Sequence, residues 1–517
     1  MAHHKAKLSY DIRDGLLPIV EEEADHPYTN GTPTLKSPSS TSRKPPFSLE
    51  RTARRFLRAL LPSFLGTRAS HSDGAKPEQH SSTLYLDGLR GYASICVLNS
   101  HVVTAFTNAP QVDWGWNEGE NLSPTSLPGI RLLFSGPGMV TLFFLISGFS
   151  CSLKPIEAMQ HSDPTSQAKV LKNLSGSLMR RWFRLYLPVL CCTALINIWV
   201  FFGGFRLMSY YITDESMLHP PERFALAGST LWQQSMFWFN DMWELLNLWH
   251  IWPNGSDAGY YAPFSNPHMW FITVEYKASL ILYCVLIALA IARPGARFAA
   301  LAAGAAYMFF ACKDEVLPYF FGACLACVKL EVDRRKSDFK GSGDAVAHLT
   351  GLSETVAEFV WNGLLVLSIW LMSTPAWSFQ GPSYYALTVI TPSAFVRQQT
   401  FLQLLGVSGL MLCLMTASAS SKLVAFLTHP YALYLGRISF AIYILHGPVL
   451  LSIGYAVPIW IWRNFGEGPI GFMLGLIGAE VVTIALSIWL ADVFQREIEG
   501  RCIKATKWIE KHMTGAR

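Results

Sequence analysis

The stretch Leu84–Phe106, LYLDGLRGYASICVLNSHVVTAF, has the length and apolar content of a membrane-spanning helix, yet it holds Asp87, Arg90 and His101. Ionisable groups in lipid are costly, so such a span reads first as a functional site. Arg90 and His101 are eleven residues apart. At 100° per residue they fall on nearly the same helix face, separated by a rise of roughly 16 Å. One stripe therefore places a cation near one membrane surface and a titratable imidazole deep in the span.

The surroundings of that stretch fix the class. Of 517 residues, 51% are hydrophobic and only 15% charged, and the mean hydropathy is positive. A soluble chain of this length carries more charge. Recurrent long apolar runs indicate an all-α, polytopic helical membrane protein. The net charge of +5 is modest and unevenly spread, so it informs topology and not nucleic-acid binding. The ten cysteines lie mostly inside apolar runs, as small buried residues do. Cys324 and Cys327 form a CxxC without a second pair, which reads as packing and not as a metal site; no metal is expected.

Residues 1–80 are polar, rich in Ser, Pro and Thr, and without periodicity, as a disordered cytosolic tail is. Within them Arg51–Leu61 is a short basic amphipathic segment, readable as a membrane-surface element or as plain flanking charge. No secretory signal peptide follows the first residue. The loop 107–129 contains no Lys or Arg, whereas Lys154, Lys169, Lys172, Arg180, Arg181 and Arg184 follow the next apolar run at about 130–151. The positive-inside rule then puts the first loop outside and the second in the cytosol. Further spans fall near 185–203, 268–292, 298–312, 316–330, 358–377, 399–417, 431–453 and 469–492. About ten transmembrane helices, both termini cytosolic, make all the basic loops agree. The two shortest, 298–312 and 316–330, lie near the ~17-residue minimum for crossing. The transmembrane domain spans 81–495, and 496–517 is a basic cytosolic tail. Phe224–Trp252 is apolar but holds Asp241 and Glu244, which favours an outer-face lid or re-entrant element. Of four glycosylation sequons, at Asn30, Asn121, Asn173 and Asn254, this topology leaves only Asn121 and Asn254 on the luminal side. The expected location is a multi-pass protein of an endomembrane or the plasma membrane.

Five constellations carry polar chemistry inside this apolar frame: Asp87-Gly-Leu-Arg-Gly91 with His101, Leu142–Phe149 (LFFLISGF), Arg180–Pro188 (RRWFRLYLP), Trp270–Glu275 (WFITVE) and Leu435–His446 (LGRISFAIYILH). In this order they resemble the signatures of the membrane acyltransferase 3 family: the Arg90/His101 pair of the first span, an FFxxSG motif at Phe143–Gly148, an RxxR pair at Arg181 and Arg184 with Pro188 beyond it, a WxxxxE motif at Trp270–Glu275, and an LGxxSYxxYxxH motif at Leu435–His446. Phe440 stands where tyrosine is commoner, and WFITVE lacks one small polar residue of WSLSVE-like sequences. The resemblance covers about Leu84 to Phe494. It implies transfer of an acyl group from a cytosolic donor, commonly acetyl-CoA, to a hydroxyl of a carbohydrate or small molecule.

The residues support that chemistry on their own terms. An alcohol attacking a thioester needs a base beside its hydroxyl, and His101 is the natural candidate because the unperturbed pKa of an imidazole is near neutrality. Glu275, placed at a depth comparable to His101 by helix rise, is expected to hold the imidazole tautomer as a carboxylate does in a catalytic triad. Arg181 and Arg184 at the cytosolic mouth suit the phosphates of coenzyme A, with Arg90 lining the path of the pantetheine arm. Trp270 and His446 are the candidate substrate contacts.

Each reading has a plainer rival. An intramembrane histidine also serves to bond a neighbouring helix. His446 fits polar packing as well as substrate contact, Ser147 and Gly148 fit close helix approach, and the Arg180–Arg184 cluster is what positive-inside flanking alone produces. Asp87 most simply pairs with Arg90 one turn on. A transporter without chemistry, or a catalytically dead sensor, are the alternatives at the level of the whole chain; no internal repeat of the kind transporters show is visible.

Overall fold

Proline and glycine punctuate the helices. Six of the long helices open with proline in their first turn, where the missing N–H has no helical acceptor to lose and φ is already set. The computed structural model describes residues 60–63, 83–116, 121–160, 164–206, 224–247, 263, 265–338, 353–375, 381–388, 391, 398–416 and 421–514. The helical body forms one unit from Ser82 onward. Its principal helices are α1 (Tyr85–Thr104), α2 (Gly136–Ala158), α3 (Pro164–Phe201), α4 (Leu231–Leu246), α5 (Trp270–Ala288), α6 (Pro294–Phe310), α7 (Leu317–Asp338), α8 (Glu354–Met372), α9 (Gln398–Thr416), α10 (Pro430–Val449), α11 (Ala456–Phe465), α12 (Pro469–Phe494) and α13 (Gly500–Thr514). No β-strand occurs among the described residues.

Helices thus occupy all ten positions where spans are expected. Among the described residues, six stretches are long and apolar enough to cross a membrane: Gly136–Ala158, Val170–Phe201, Pro267–Ala288, Thr355–Met372, Pro430–Phe465 and Pro469–Met513. The protein is a helical membrane protein. The first helix falls outside these six because Asp87, Arg90, His101 and its small residues dilute its hydropathy. The tail segment 1–80, the Arg51–Leu61 stretch and Asn254 lie wholly or almost wholly outside the described residues.

In a bilayer, apolar side chains gain little by leaving lipid for protein, so helix contacts rest on close fit at small residues. The motif glycines supply that fit. A Cβ on Gly91 would stand 2.5 Å from the Gly436 nitrogen, which seats α1 against α10. Gly148 lies on the backbone of Tyr319, and a Cβ on Gly322 would stand 2.5 Å from the Phe149 nitrogen, which seats α2 against α7. The reading of Gly148 as a close-contact residue is what the packing shows.

One element differs from expectation. The second span begins at Gly136 and not near 130, because Arg131 is drawn out of the apolar run into the preceding loop. Its guanidinium is fully buried, lies 3.4 Å from Asp113 Oδ1, and donates to the carbonyls of Val112 at 2.9 Å, Ser373 at 2.9 Å and Ser126. Asp113 also accepts from the backbone N–H of Trp114 and Ser383. One ion pair thereby ties the loop after α1 to the segment after α8. In the same loop Asn121 Nδ2 donates at 2.9 Å to the Asp113 carbonyl and at 2.9 Å to Ser126 Oγ, so the nitrogen of that sequon faces inward. The aromatic region forms α4, with Thr230 capping its first turn. It is held to α3 by Gln234–Asn197 at 2.7 Å and Trp238–Thr193 at 3.0 Å, and to α5 by Thr273 Oγ1 donating to the Leu245 carbonyl at 3.0 Å. The basic carboxy-terminal tail forms α13, whose Glu510 pairs with Arg180 of α3.

Candidate active site

The site begins with a proline. Pro448, inside α10, has no N–H to give the carbonyl of Ile444 four residues back. That carbonyl accepts instead from Asn266 Nδ2 at 2.9 Å. Because the amide nitrogen is thus spent as donor, Asn266 presents its Oδ1 as acceptor. Oδ1 caps the short 3-10 turn Pro267–Met269 by accepting from the His268 N–H, and it lies 3.3 Å from His268 Nδ1. His268 Nδ1 is then the protonated nitrogen, and Nε2 carries the lone pair. His268 Nε2 is 3.0 Å from His101 Nδ1. An acceptor on one side requires a donor on the other, so His101 bears its proton on Nδ1 and its lone pair on Nε2. Two further contacts hold the turn: Tyr443 donates its hydroxyl to the His268 carbonyl, and Asp241 of α4 accepts from the Ser265 N–H at 3.1 Å.

His446 completes the group. Its ring centroid lies 5.1 Å from that of His101 and 4.6 Å from that of His268, and its Nδ1 is 3.2 Å from the carbonyl of Ile442, one turn back. It is 1% exposed. With that burial its ring is packed against the other two imidazoles inside the body. The ends of α1 and α10 and the start of α5 meet at this level, as alternating helix directions require.

Below the histidines lies an aromatic layer: Phe144 stacks on Phe271 with centroids 4.6 Å apart, and Tyr443 sits 5.4 Å from Phe271. Next comes a buried polar layer. Glu275 Oε1 accepts from Arg181 at 2.8 Å and from Ser147 Oγ at 3.0 Å, and Tyr319 donates to the Glu275 carbonyl at 3.1 Å. Deeper still, Arg90 lies 3.5 Å from Ser150 Oγ and 3.9 Å from Asp87, the expected one-turn pair.

Two expectations about these residues change. Glu275 stands seven residues beyond His268, a rise of roughly 10 Å along α5, so the carboxylate binds Arg181 and Ser147 while His268 occupies the place beside His101. Arg181 is an internal counter-ion, its side chain 19% exposed, and not a cation at the mouth. Arg184 lies one turn further along α3, beside the Glu499 carboxyl. Trp270, at the first turn of α5, is half-buried two residues from His268. The signal for His268 was present as Asn266-Pro-His immediately before the tryptophan motif, and for its anchor as Gly447-Pro448 immediately after His446.

A cluster of three imidazoles lies above an ion-pair layer, and the five motifs converge on both. A family model described as "Acyltransferase domain" matches residues 83–492. The chain belongs to this acyltransferase family. It is similar to an O-acetyltransferase, PaAT-1, of Phomopsis amygdali, with 27% identity over 83% of this chain and 84% of the relative. It is also similar to acyltransferase clz18 of Cochliobolus lunatus, with 24% identity over 82% and 94% of the two chains, and to acyltransferase R4 of a Phoma species, with 25% identity over 83% and 96%. No solved structure matches the chain. Family membership makes the protein an acyltransferase and sets aside the transporter alternative.

Proposed function

We propose that this acyltransferase moves an acyl group, acetyl above all, from acyl-CoA to a hydroxyl of a small molecule or sugar. The observation that carries the reading is the run of hydrogen bonds from Ile444 through Asn266 and His268 to His101. It leaves His101 Nε2 as the proton acceptor at the partly open end of the cluster. In the reaction Nε2 takes the acceptor's hydroxyl proton as the oxygen attacks the thioester carbonyl, the C–S bond breaks, and the imidazolium returns the proton to the departing thiolate. His268 Nε2 steadies the imidazolium through the Nδ1–H, the part a carboxylate plays in a serine-protease triad.

The donor is anionic at its nucleotide end, and we assign its phosphates to Arg184 and its pantetheine arm to the Arg90 side of α1. The Arg181–Glu275 pair sets the wall of that passage. The roughly 16 Å between Arg90 and His101 suits an extended arm reaching up to the base, with the acceptor arriving past Trp270 from the α4 side. A relative's name, O-acetyltransferase, supports acetyl as the group moved. The setting is the bilayer of an endomembrane or the plasma membrane, with α1 running outward from the cytosol.

Membranes bearing wild-type or His101→Ala protein, incubated with labelled acetyl-CoA and candidate hydroxyl acceptors, test the reading. Label should reach product only with the wild type; transfer that survives the substitution would falsify the base assignment.

A further inference from the structure

We propose that the imidazoles of His101, His268 and His446 form a binding site for a divalent cation of the zinc type, and that loading it withdraws His101 from service as a base. One ring nitrogen from each histidine lies within 4.8 Å of the other two, and those of His101 and His268 are already 3.0 Å apart. Around a tetrahedral zinc with Zn–N of about 2.0–2.1 Å, ligand nitrogens stand about 3.3 Å from one another. Two of the three are therefore near bonding separation, and the third closes the gap with a ring movement of order 1 Å, given that geometry. Three neutral imidazoles are a donor set that zinc favours in sites that keep one position open. His268 and His446 are buried while His101 is partly exposed, so the open position falls on the substrate side.

The surroundings are those of a metal-ligating histidine. Such a ring usually directs its second nitrogen at a carbonyl or carboxylate that fixes the tautomer. His268 Nδ1 meets Asn266 Oδ1 at 3.3 Å and His446 Nδ1 meets the Ile442 carbonyl at 3.2 Å. Both rings therefore carry the proton on Nδ1 and the lone pair on Nε2, the tautomer that ligation through Nε2 requires. His101 is the exception. In the hydrogen-bonded run its proton is on Nδ1, facing His268; beside a cation that nitrogen turns a lone pair to the metal, and the proton transfers through solvent to Nε2. No proton is gained or lost overall, but the basic atom becomes Nε2–H. Base and metal ligand are thus alternative states of one residue.

The site stands on the cluster's geometry, whereas the inhibitory consequence rests on the base assignment made above, and the test separates them. Purified full-length protein in nanodiscs, stripped by chelator, is titrated with Zn2+. Bound metal is counted by elemental analysis after desalting, and Co2+ serves as a spectroscopic probe through the visible bands of its tetrahedral complexes. The expected result is one tightly held ion per chain, with affinity lowered at least about tenfold in His268→Ala and in His446→Gln. His446→Gln keeps a polar side chain in the pocket, and its elution profile and Tm report that it folds. Acetyl transfer by the wild type should fall as the site fills and return with chelator. Absence of stoichiometric binding, or binding unchanged in both variants, overturns the site and leaves the base assignment standing. Binding with undiminished transfer upholds the site and overturns the base assignment.

Discussion

Gly447 and His268 share one volume: a Cβ at Gly447 would stand 2.5 Å from His268 Nδ1 and 2.7 Å from Asn266 Oδ1. The glycine after His446 is required because the imidazole on the facing turn fills the space where a side chain would be. Gly447→Ala should therefore push His268 off His101. Overpacking of this kind costs about 1–3 kcal/mol, while turnover should fall by about 10²-fold, the lower range for loss of acid–base assistance. Parallel melting curves and initial rates decide it; an active, stable Gly447→Ala protein would show that the two residues do not compete for that space.

Pro448→Ala makes a prediction with two signs. The new N–H restores the helical bond to the Ile444 carbonyl and competes with Asn266 Nδ2. The Tm should hold or rise, since proline in a helix interior is costly. kcat should drop by roughly tenfold, the scale on which orienting hydrogen bonds act. A fall in both, or in neither, would detach the proline from the relay.

His268→Ala removes the partner of His101 Nδ1 and frees the imidazole to take either tautomer. A loss in kcat of about 10²–10⁴ is expected, with KM for acyl-CoA little changed because the donor is held elsewhere. Steady-state kinetics against both substrates measure the split. A raised donor KM with normal kcat would move His268 from the base to the donor passage.

The Glu275–Arg181 pair lies inside the body, with side chains 13% and 19% exposed. Removing one partner of a buried pair leaves an uncompensated charge and costs about 3–5 kcal/mol. Glu275→Gln should therefore melt early, and the double variant Arg181→Met/Glu275→Gln should recover much of the loss. Differential scanning fluorimetry on the four proteins gives the cycle. If the double variant is no better than the singles, the two charges do not stabilise one another.

Stability should also depend on pH through Glu499, at the junction between α12 and α13. Burial raises its carboxyl to about 7, against an ordinary value of 4.5, with Arg184 opposing the shift. The folded state therefore favours the protonated form. The contribution is fully present below about 4.5, and it is lost as pH rises through about 7. Between pH 6 and 8 the wild type should lose Tm, and Glu499→Gln, neutral throughout, should lose less. Equal slopes would mean that Glu499 is already ionised in the fold.

The parts of this protein that were readable in sequence are those written as local rules. Long apolar runs announced helices, and the Arg90–His101 spacing placed two polar groups on one stripe. Depth between helices was not readable in the same way. Helix rise puts Glu275 a fixed distance from the start of α5, but whether that start is level with His101 depends on α10, which seats α1 at Gly91 and Gly436 and holds the turn before α5 through Ile444 and Tyr443. His268 escaped notice because it lies in a three-residue turn ahead of the span, where a polar residue is unremarkable. The role of Pro448 was hidden for another reason: a freed carbonyl has meaning only once its partner, Asn266, is known to face it.

The Arg131–Asp113 pair has a consequence for how the protein is made. Arg131 donates to the carbonyl of Ser373, which lies 242 positions further along the chain. At translation speeds of about 5–20 residues per second, Arg131 waits roughly ten seconds to a minute for that acceptor to be synthesised. Throughout that interval the nascent first loop carries a cation whose final surroundings do not yet exist. Completion of the loop is thereby a late event that reports on insertion of α8, and chains ending before Ser373 would display an arginine short of one acceptor to the machinery of membrane-protein quality control.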